Sequence, residues 1–248
     1  METKRNIRKL VATALCVFLI LTFVSVGAAA EGKGGVFGRP GAVEVLFERA
    51  EITDKTILLE RAKAGITDYN FTNKRKSTVK NPLTGEIEEL ETVDTTQLLS
   101  VKRNPDGSID VDRSTTTIGL LSSYSRTRDN NYYPGYSVYV YSTIYWTETN
   151  CGCHGQKHIK LTQATGAYQR LDSQVTITNR NTRTAQFGTG CFGTANYTAF
   201  STASSFTHNV PSGQPAVNTW SDLNNVGCNM SCRVTRGSQH WDVDVYNM

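Results

Sequence analysis

The stretch "SVYVYSTIYWTET", residues 137–149, decides the fold. Val138, Val140, Ile144 and Trp146 fall on one side of an extended chain, and Tyr139, Tyr141 and Tyr145 fall on the other, because successive strand side chains point to opposite faces. One side is therefore core-facing. The other presents three aromatic rings, each with a hydroxyl handle.

Neighbouring stretches repeat the pattern. "QVTITNRNTRTAQ" alternates Val175 and Ile177 against Thr and Asn. "CRVTRGSQHWDVDVY" reads as a hairpin through Arg236-Gly237-Ser238, with Trp241, Val243 and Val245 on one face. "TTQLLSVKRNPDGSIDVDRSTTTIGLL" reads as two extended runs around "NPDG", where Pro105 fixes φ and Asp106-Gly107 favour a tight turn. "HIKLTQATGAYQRL" is expected to form a hairpin turning near Thr165-Gly166. Short strands separated by turn signals indicate a mainly β chain. The expected architecture is an antiparallel β-sandwich preceded by a short helical N-terminal segment. An immunoglobulin-like arrangement suits this strand content, although the Cys-Trp-Cys spacing of that family is not matched.

The chain of 248 residues opens with Lys4, Arg5, Arg8 and Lys9, followed by an uncharged apolar run from Leu10 to Gly27 and the triplet Ala28-Ala29-Ala30. This is the order of a secretory signal peptide, read as residues 1–30. The run is long enough that an uncleaved membrane anchor is the minor alternative. Export alters the charge balance. Removing Lys4, Arg5, Arg8, Lys9 and Glu2 from 26 basic and 22 acidic residues leaves 22 and 21, so the formal +4 nearly vanishes. A nucleic-acid partner is not expected, and neither is a membrane partner once the signal is cleaved.

Residues 31–90 read as a glycine-rich linker followed by a helical segment. Leu46, Phe47, Ala50, Ile57, Leu58 and Ala62 approximate a helical stripe, broken at "ITDKT" and stopped by Gly65. "NKRKS" at 73–77 would be an accessible cleavage point if this segment were a pro-segment. Residues 91–248 are expected to be the secreted β domain.

"CGCHGQKH", residues 151–158, raises three chemistries. Cys151, Cys153, His154 and His158 carry metal-ligating atoms, but C-x-C is tight for a tetrahedral ion, and exported thiols oxidise. Disulfides are therefore expected among Cys151, Cys153, Cys191, Cys228 and Cys232, which allow at most two bridges. The metal set is the alternative. Cys191 lies in "GTGCFG", which lacks the following helix that a dinucleotide fingerprint requires. A thiol nucleophile there would need His208 or His240 beside it. No catalytic motif stands out, so neither an enzyme nor a cofactor is expected.

At "KLTQATGAYQRLDSQVTITNR" and the closing "RGSQHWDVDVYN", the chain resembles uncharacterised exported proteins of Gram-positive bacteria over residues 90–248. The resemblance implies a secreted β domain and carries no activity. The expected function is a secreted or cell-surface binding or structural module. Tyr139, Tyr141 and Tyr145 would be its contact face, and a cell-wall glycan or a protein its partner. A bacteriocin- or toxin-like effector with a pro-segment and a hydrolase using Cys191 with a histidine are the alternatives.

Overall fold

The computed structural model describes residues 42–70, 75–121, 136–150, 157–190, 192–218 and 225–248. Two antiparallel sheets face one another. The first has the order β1 (Glu44–Glu48), β4 (Thr92–Arg103), β5 (Ile109–Leu121), β6 (Val138–Asn150), β7 (Lys157–Arg170) and β10 (Ser205–Asn209), and β11 (Val217–Asn218) also pairs with β7. The second has the order β3 (Ile87–Glu89), β2 (Thr78–Lys80), β13 (Gln239–Asn247), β12 (Asn225–Arg236), β8 (Val175–Gly190) and β9 (Gly193–Ser201). One helix, α1 (Lys55–Lys63), lies near the N-terminus of the described chain. The protein is a mainly β sandwich, as the alternation requires. Among the described residues, no helix is long and apolar enough to cross a membrane.

The inward faces follow from the pleat. Val138, Val140, Ile144 and Trp146 are at most 1% exposed and meet Met230, Val234, Val243 and Val245 of the second sheet in one cluster. Burying each such side chain contributes about 1.5–3 kcal/mol. The interior is also crossed by polar ties. Asn247 donates its two amide hydrogens to the carbonyls of Thr115 (3.0 Å) and Ser142 (2.9 Å), fastening the end of β13 to the first sheet. The Tyr168 hydroxyl lies 2.9 Å from the Asn181 carbonyl and 3.1 Å from the Ser231 carbonyl, where the β8–β12 ladder shifts register.

The "NPDG" hairpin forms as expected, with Gly107 at φ 84 closing the β4–β5 turn, and Gly237 does the same for β12–β13 at φ 58. Two local expectations are corrected. "HIKLTQATGAYQRL" is a single strand of 14 residues, β7, with no turn at Gly166. A Cβ at Gly166 would sit 2.5 Å from the Tyr141 carbonyl and 2.6 Å from the Phe206 ring, so this glycine admits an aromatic side chain over the sheet instead of reversing the chain. The helical stripe is also only half correct. Leu46 and Phe47 belong to strand β1, because β-branched and aromatic residues around them favour extended chain and the edge of β4 offers backbone partners. The helix begins at the "ITDKT" break, where Asp54 accepts hydrogen bonds from the Thr56 and Ile57 amides. It stops at Gly65, φ 68. The β fold also reaches into residues 31–90 through β1, β2 and β3.

On the outer face of the first sheet, Asp112 accepts from Ser100 Oγ (2.7 Å), Lys102 Nζ (2.7 Å) and Thr147 Oγ1 (2.6 Å). Partial burial works to raise its pKa, but these donors outweigh burial and hold the carboxyl below its ordinary value. A carboxyl depressed in the fold stabilises above its unfolded pKa, and that contribution is lost as pH falls through the folded value. Urea titrations are therefore expected to show stability falling below about pH 5. Asp112→Asn should lose about 1–2 kcal/mol at pH 7 and flatten this acid limb. An acid limb of unchanged slope in the variant would assign the effect to other carboxyls.

Candidate functional site

Tyr139, Tyr141 and Tyr145 stand on the outer face of the first sheet, opposite the buried side, as their alternation with Val138, Val140, Ile144 and Trp146 requires. All three are half-buried rather than open. Leu59 of α1 packs with Ile118 and Leu120, and Tyr139 and Tyr141 flank that contact. The Lys55 ammonium hydrogen-bonds the Tyr141 hydroxyl and sits 4.0 Å from its ring centroid. Burial, reinforced by the charge and hydrogen bond of Glu51, pushes the Tyr145 hydroxyl up to about 12. The row seats the segment 49–63. As a platform for a ligand it is already occupied in large part by the chain's own helix.

The cysteines divide. Cys228 and Cys232 are free and buried, which corrects the expectation that they anchor disulfides. Both lie on the inward face of β12 with Met230 and Val234, and four residues along one strand separate them by about 13 Å. That is beyond the reach of a bridge between them. Burial pushes each thiol up to about 12, so neither is a thiolate at neutral pH. Thr184 Oγ1 lies 3.7 Å from Cys228 Sγ and 2.8 Å from His208 Nδ1, a contact that holds the thiol without ionising it. Cys151, Cys153, His154 and Cys191 lie outside the described residues. His158 is buried in β7, and no group of metal-ligating side chains gathers among the described residues. The flanks of "GTGCFG" are strands β8 and β9, so a hairpin occupies the place where a dinucleotide fingerprint would need a helix.

A cleft that sequence reading did not single out opens at the end of the sandwich where β4 and β13 begin and β5 ends. Its volume is 810 Å³. The buried Leu90, Leu120 and Leu121 contribute to its lining, and Trp241 lines it from the inward side of β13, packed partly against the main core. Leu83, Glu86 and Glu88 line it from the β2–β3 hairpin, which pairs with β13 through β2. Glu89 and Glu91 add two further carboxylates, and His240 also lines it. Lys76 pairs with Glu89 at 2.6 Å, and the Tyr136 hydroxyl donates to Glu91 at 3.1 Å. Among the described residues, Glu86 and Glu88 have no cationic partner. Leu83 is 73% exposed and Ile87 62% exposed beside them.

The cleft therefore combines the exposed Leu83, the Trp241 ring and an acidic rim of which Glu86 and Glu88 have no cationic partner among the described residues. "TGEIEEL", residues 84–90, carries the acidic signal in the sequence. Its convergence with residues 239–241 depends on a strand pairing across about 160 positions. Comparison of the chain with protein-family models, with curated proteins and with solved structures finds no match.

Proposed function

We propose that this chain is an exported, non-catalytic recognition module that binds a basic, partly apolar polypeptide segment in the cleft at the β13 end of the sandwich. The observation that carries the reading is the rim of Glu86, Glu88, Glu89 and Glu91 lining one cleft with the exposed Leu83 and with Trp241. Apolar side chains of a ligand would displace water from Leu83, which is 73% exposed, and from the partly buried Trp241. Its lysines or arginines would meet Glu86 and Glu88, which have no cationic partner among the described residues. Charge of one sign around a concave, low-dielectric wall attracts the opposite sign and speeds encounter. The N-terminal basic and apolar run supports export.

A short peptide of alternating lysine and leucine is the probe, with Trp241 fluorescence as the readout and Trp241→Phe as the silent control. Binding is expected to weaken with salt, because exposed charges are screened. The Glu86→Gln/Glu88→Gln double variant should lose about tenfold in affinity, the size of a modest rim electrostatic effect. If a chito-oligosaccharide binds and the peptide does not, the ligand is a glycan and the peptide reading is wrong. Peptide binding indifferent to both salt and the double substitution would also reject it.

A further inference from the structure

We propose that His208 is an acid-operated latch on the β10 flank: its neutral ring holds β10 against the second sheet, and taking up a proton frees β10 and opens the way to the Cys228 thiol. The pleat sets Phe206, His208 and, just past the strand, Val210 on the inner side, where Phe206 and Val210 are buried. Each ring enters over a small residue of β7, Phe206 over Gly166 and His208 over Ala164, their partners in the ladder. From there the imidazole crosses to the second sheet, where its Nδ1 lies 2.8 Å from Thr184 Oγ1. Thr184 is fully buried, and its ladder partner on β12 is Cys228, whose Sγ lies 3.7 Å from the same hydroxyl.

These three groups must share the single Thr184 hydroxyl hydrogen. With Nδ1 unprotonated, Thr184 donates to the ring, and its oxygen is left to accept the weak S–H donor of Cys228. That network assigns the ring hydrogen to Nε2. A proton taken up at Nδ1 reverses the chain. The ring then donates to Thr184, Thr184 turns its hydrogen towards Cys228 Sγ, and the thiol hydrogen loses its acceptor.

The charge itself finds no counter-ion. β7 presents Ala164 to the ring, β8 presents Thr184, and β10 itself presents the Phe206 ring, 4.9 Å from the imidazole. The titratable groups nearby are neutral: the Cys228 thiol of β12, pushed up to about 12 by burial, and the Tyr197 hydroxyl of β9, which burial also raises. Among the described residues no carboxylate acts on His208. Burial holds the ring below its ordinary value, against a backbone hydrogen bond at Phe200 that works the other way. A histidine depressed in the fold contributes stability that is complete above its unfolded pKa and lost as pH falls through the folded one.

β10 can yield without the rest of the sandwich. It is five residues long, and among the described strands it pairs only with β7. Its hydrogen bonds to the second sheet among the described residues are those of His208 with Thr184 and the Phe200 backbone, and that of the Asn209 carbonyl with the Tyr197 hydroxyl. A short edge with so few cross-ties opens at lower cost than the core.

The test is labelling of the purified protein with 4,4′-dithiodipyridine between about pH 5 and 8, the range in which histidine titrates, with each modified cysteine located by peptide mass spectrometry. Dividing by the rate of free glutathione at the same pH removes the effect of thiolate fraction. The normalised rate at Cys228 is expected to rise several-fold as pH falls, then level off below the midpoint of the His208 ring itself. Cys232, on the same inward face of β12, is the reference and should not change. His208→Asn keeps an acceptor near the Nδ1 position but does not titrate, and should remove the rise. In the wild type, the His208 ring resonances should titrate below the ordinary histidine value, a readout that does not depend on the variant folding. A normalised Cys228 rate that is flat with pH overturns the proposal. So does a rise that survives in His208→Asn, a parallel rise at Cys232, or a His208 midpoint at or above the ordinary value.

Discussion

Trp146→Ala is expected to lower the free energy of unfolding by about 4 kcal/mol, as measured in urea titrations. Trp146 is 1% exposed, at the centre of the inward face of β6. Removing its indole empties a site walled by Tyr69, whose ring meets it edge-on at 5.4 Å, and by the Arg113 guanidinium, 5.1 Å from the indole. It also removes the Nε1 hydrogen bond to Thr115 Oγ1 at 3.0 Å, part of a chain that continues to Thr96. Arg113 stays ion-paired with Glu148 at 3.1 Å, but loses the ring face that replaces part of its hydration. Against a typical total stability of about 5–15 kcal/mol, such a loss is a large fraction. Trp146→Phe keeps most of the volume and should cost well under half as much. A Trp146→Ala loss below about 1 kcal/mol would show that the core around β6 is not packed as described.

Gly227→Ala is expected to cost about 3 kcal/mol or more, from two additive sources. Gly227 has φ 143, a conformation L residues rarely adopt, and a Cβ there would lie 2.3 Å from the Asn247 carbonyl oxygen on β13. The obstacle is backbone, held in the β12–β13 ladder by the pairing of Cys228 with Asn247. Relief would require the two strands to separate just where the Asn247 amide fastens the second sheet to the first. Gly107 is the control. Its φ is 84, but a Cβ there meets nothing within 4 Å, so Gly107→Ala carries backbone strain alone, about 1 kcal/mol. Similar losses at both positions would mean that strand contact at Gly227 contributes little, and that the φ angle explains both.

The guarded and unguarded parts of the sandwich have different consequences. On the flank formed by β9 and β10, the Tyr197 hydroxyl donates to the Asn209 carbonyl at 3.2 Å and ties the two strands. At β1 the apolar faces are left open, and at the β13 end the core continues into a cleft rimmed by carboxylates. The tyrosine row lies between these two extremes. Its rings are neither core nor free surface, because α1 and residues 49–54 occupy the outer face through Leu59, Lys55 and the paired hydrogen bonds of Ile52 with Gln97, at 2.9 and 3.0 Å.

Features that depend on near neighbours in the chain were legible from residue order alone. The two-residue period of 137–149 set Val138, Val140, Ile144 and Trp146 on one face and the tyrosines on the other. Pro105-Asp106-Gly107 and Gly237 marked two hairpins, because only certain residues tolerate those backbone angles. Gly65 stopped the helix for the same reason. Tertiary structure decided whatever needed a distant partner. Gly166 looked like a turn until Phe206 of β10 lay across it, and Leu46 and Phe47 looked helical until the β4 edge offered hydrogen bonds to an extended strand. Cys228 and Cys232 looked like bridge anchors until the second sheet turned both inward, where burial keeps them as neutral thiols. The cleft was beyond local reading, since Glu86 and Trp241 become neighbours only when β2 pairs with β13. Alternation and turn chemistry act within a few residues, whereas which edge is free, which face is covered and which side chains converge are settled by long-range packing.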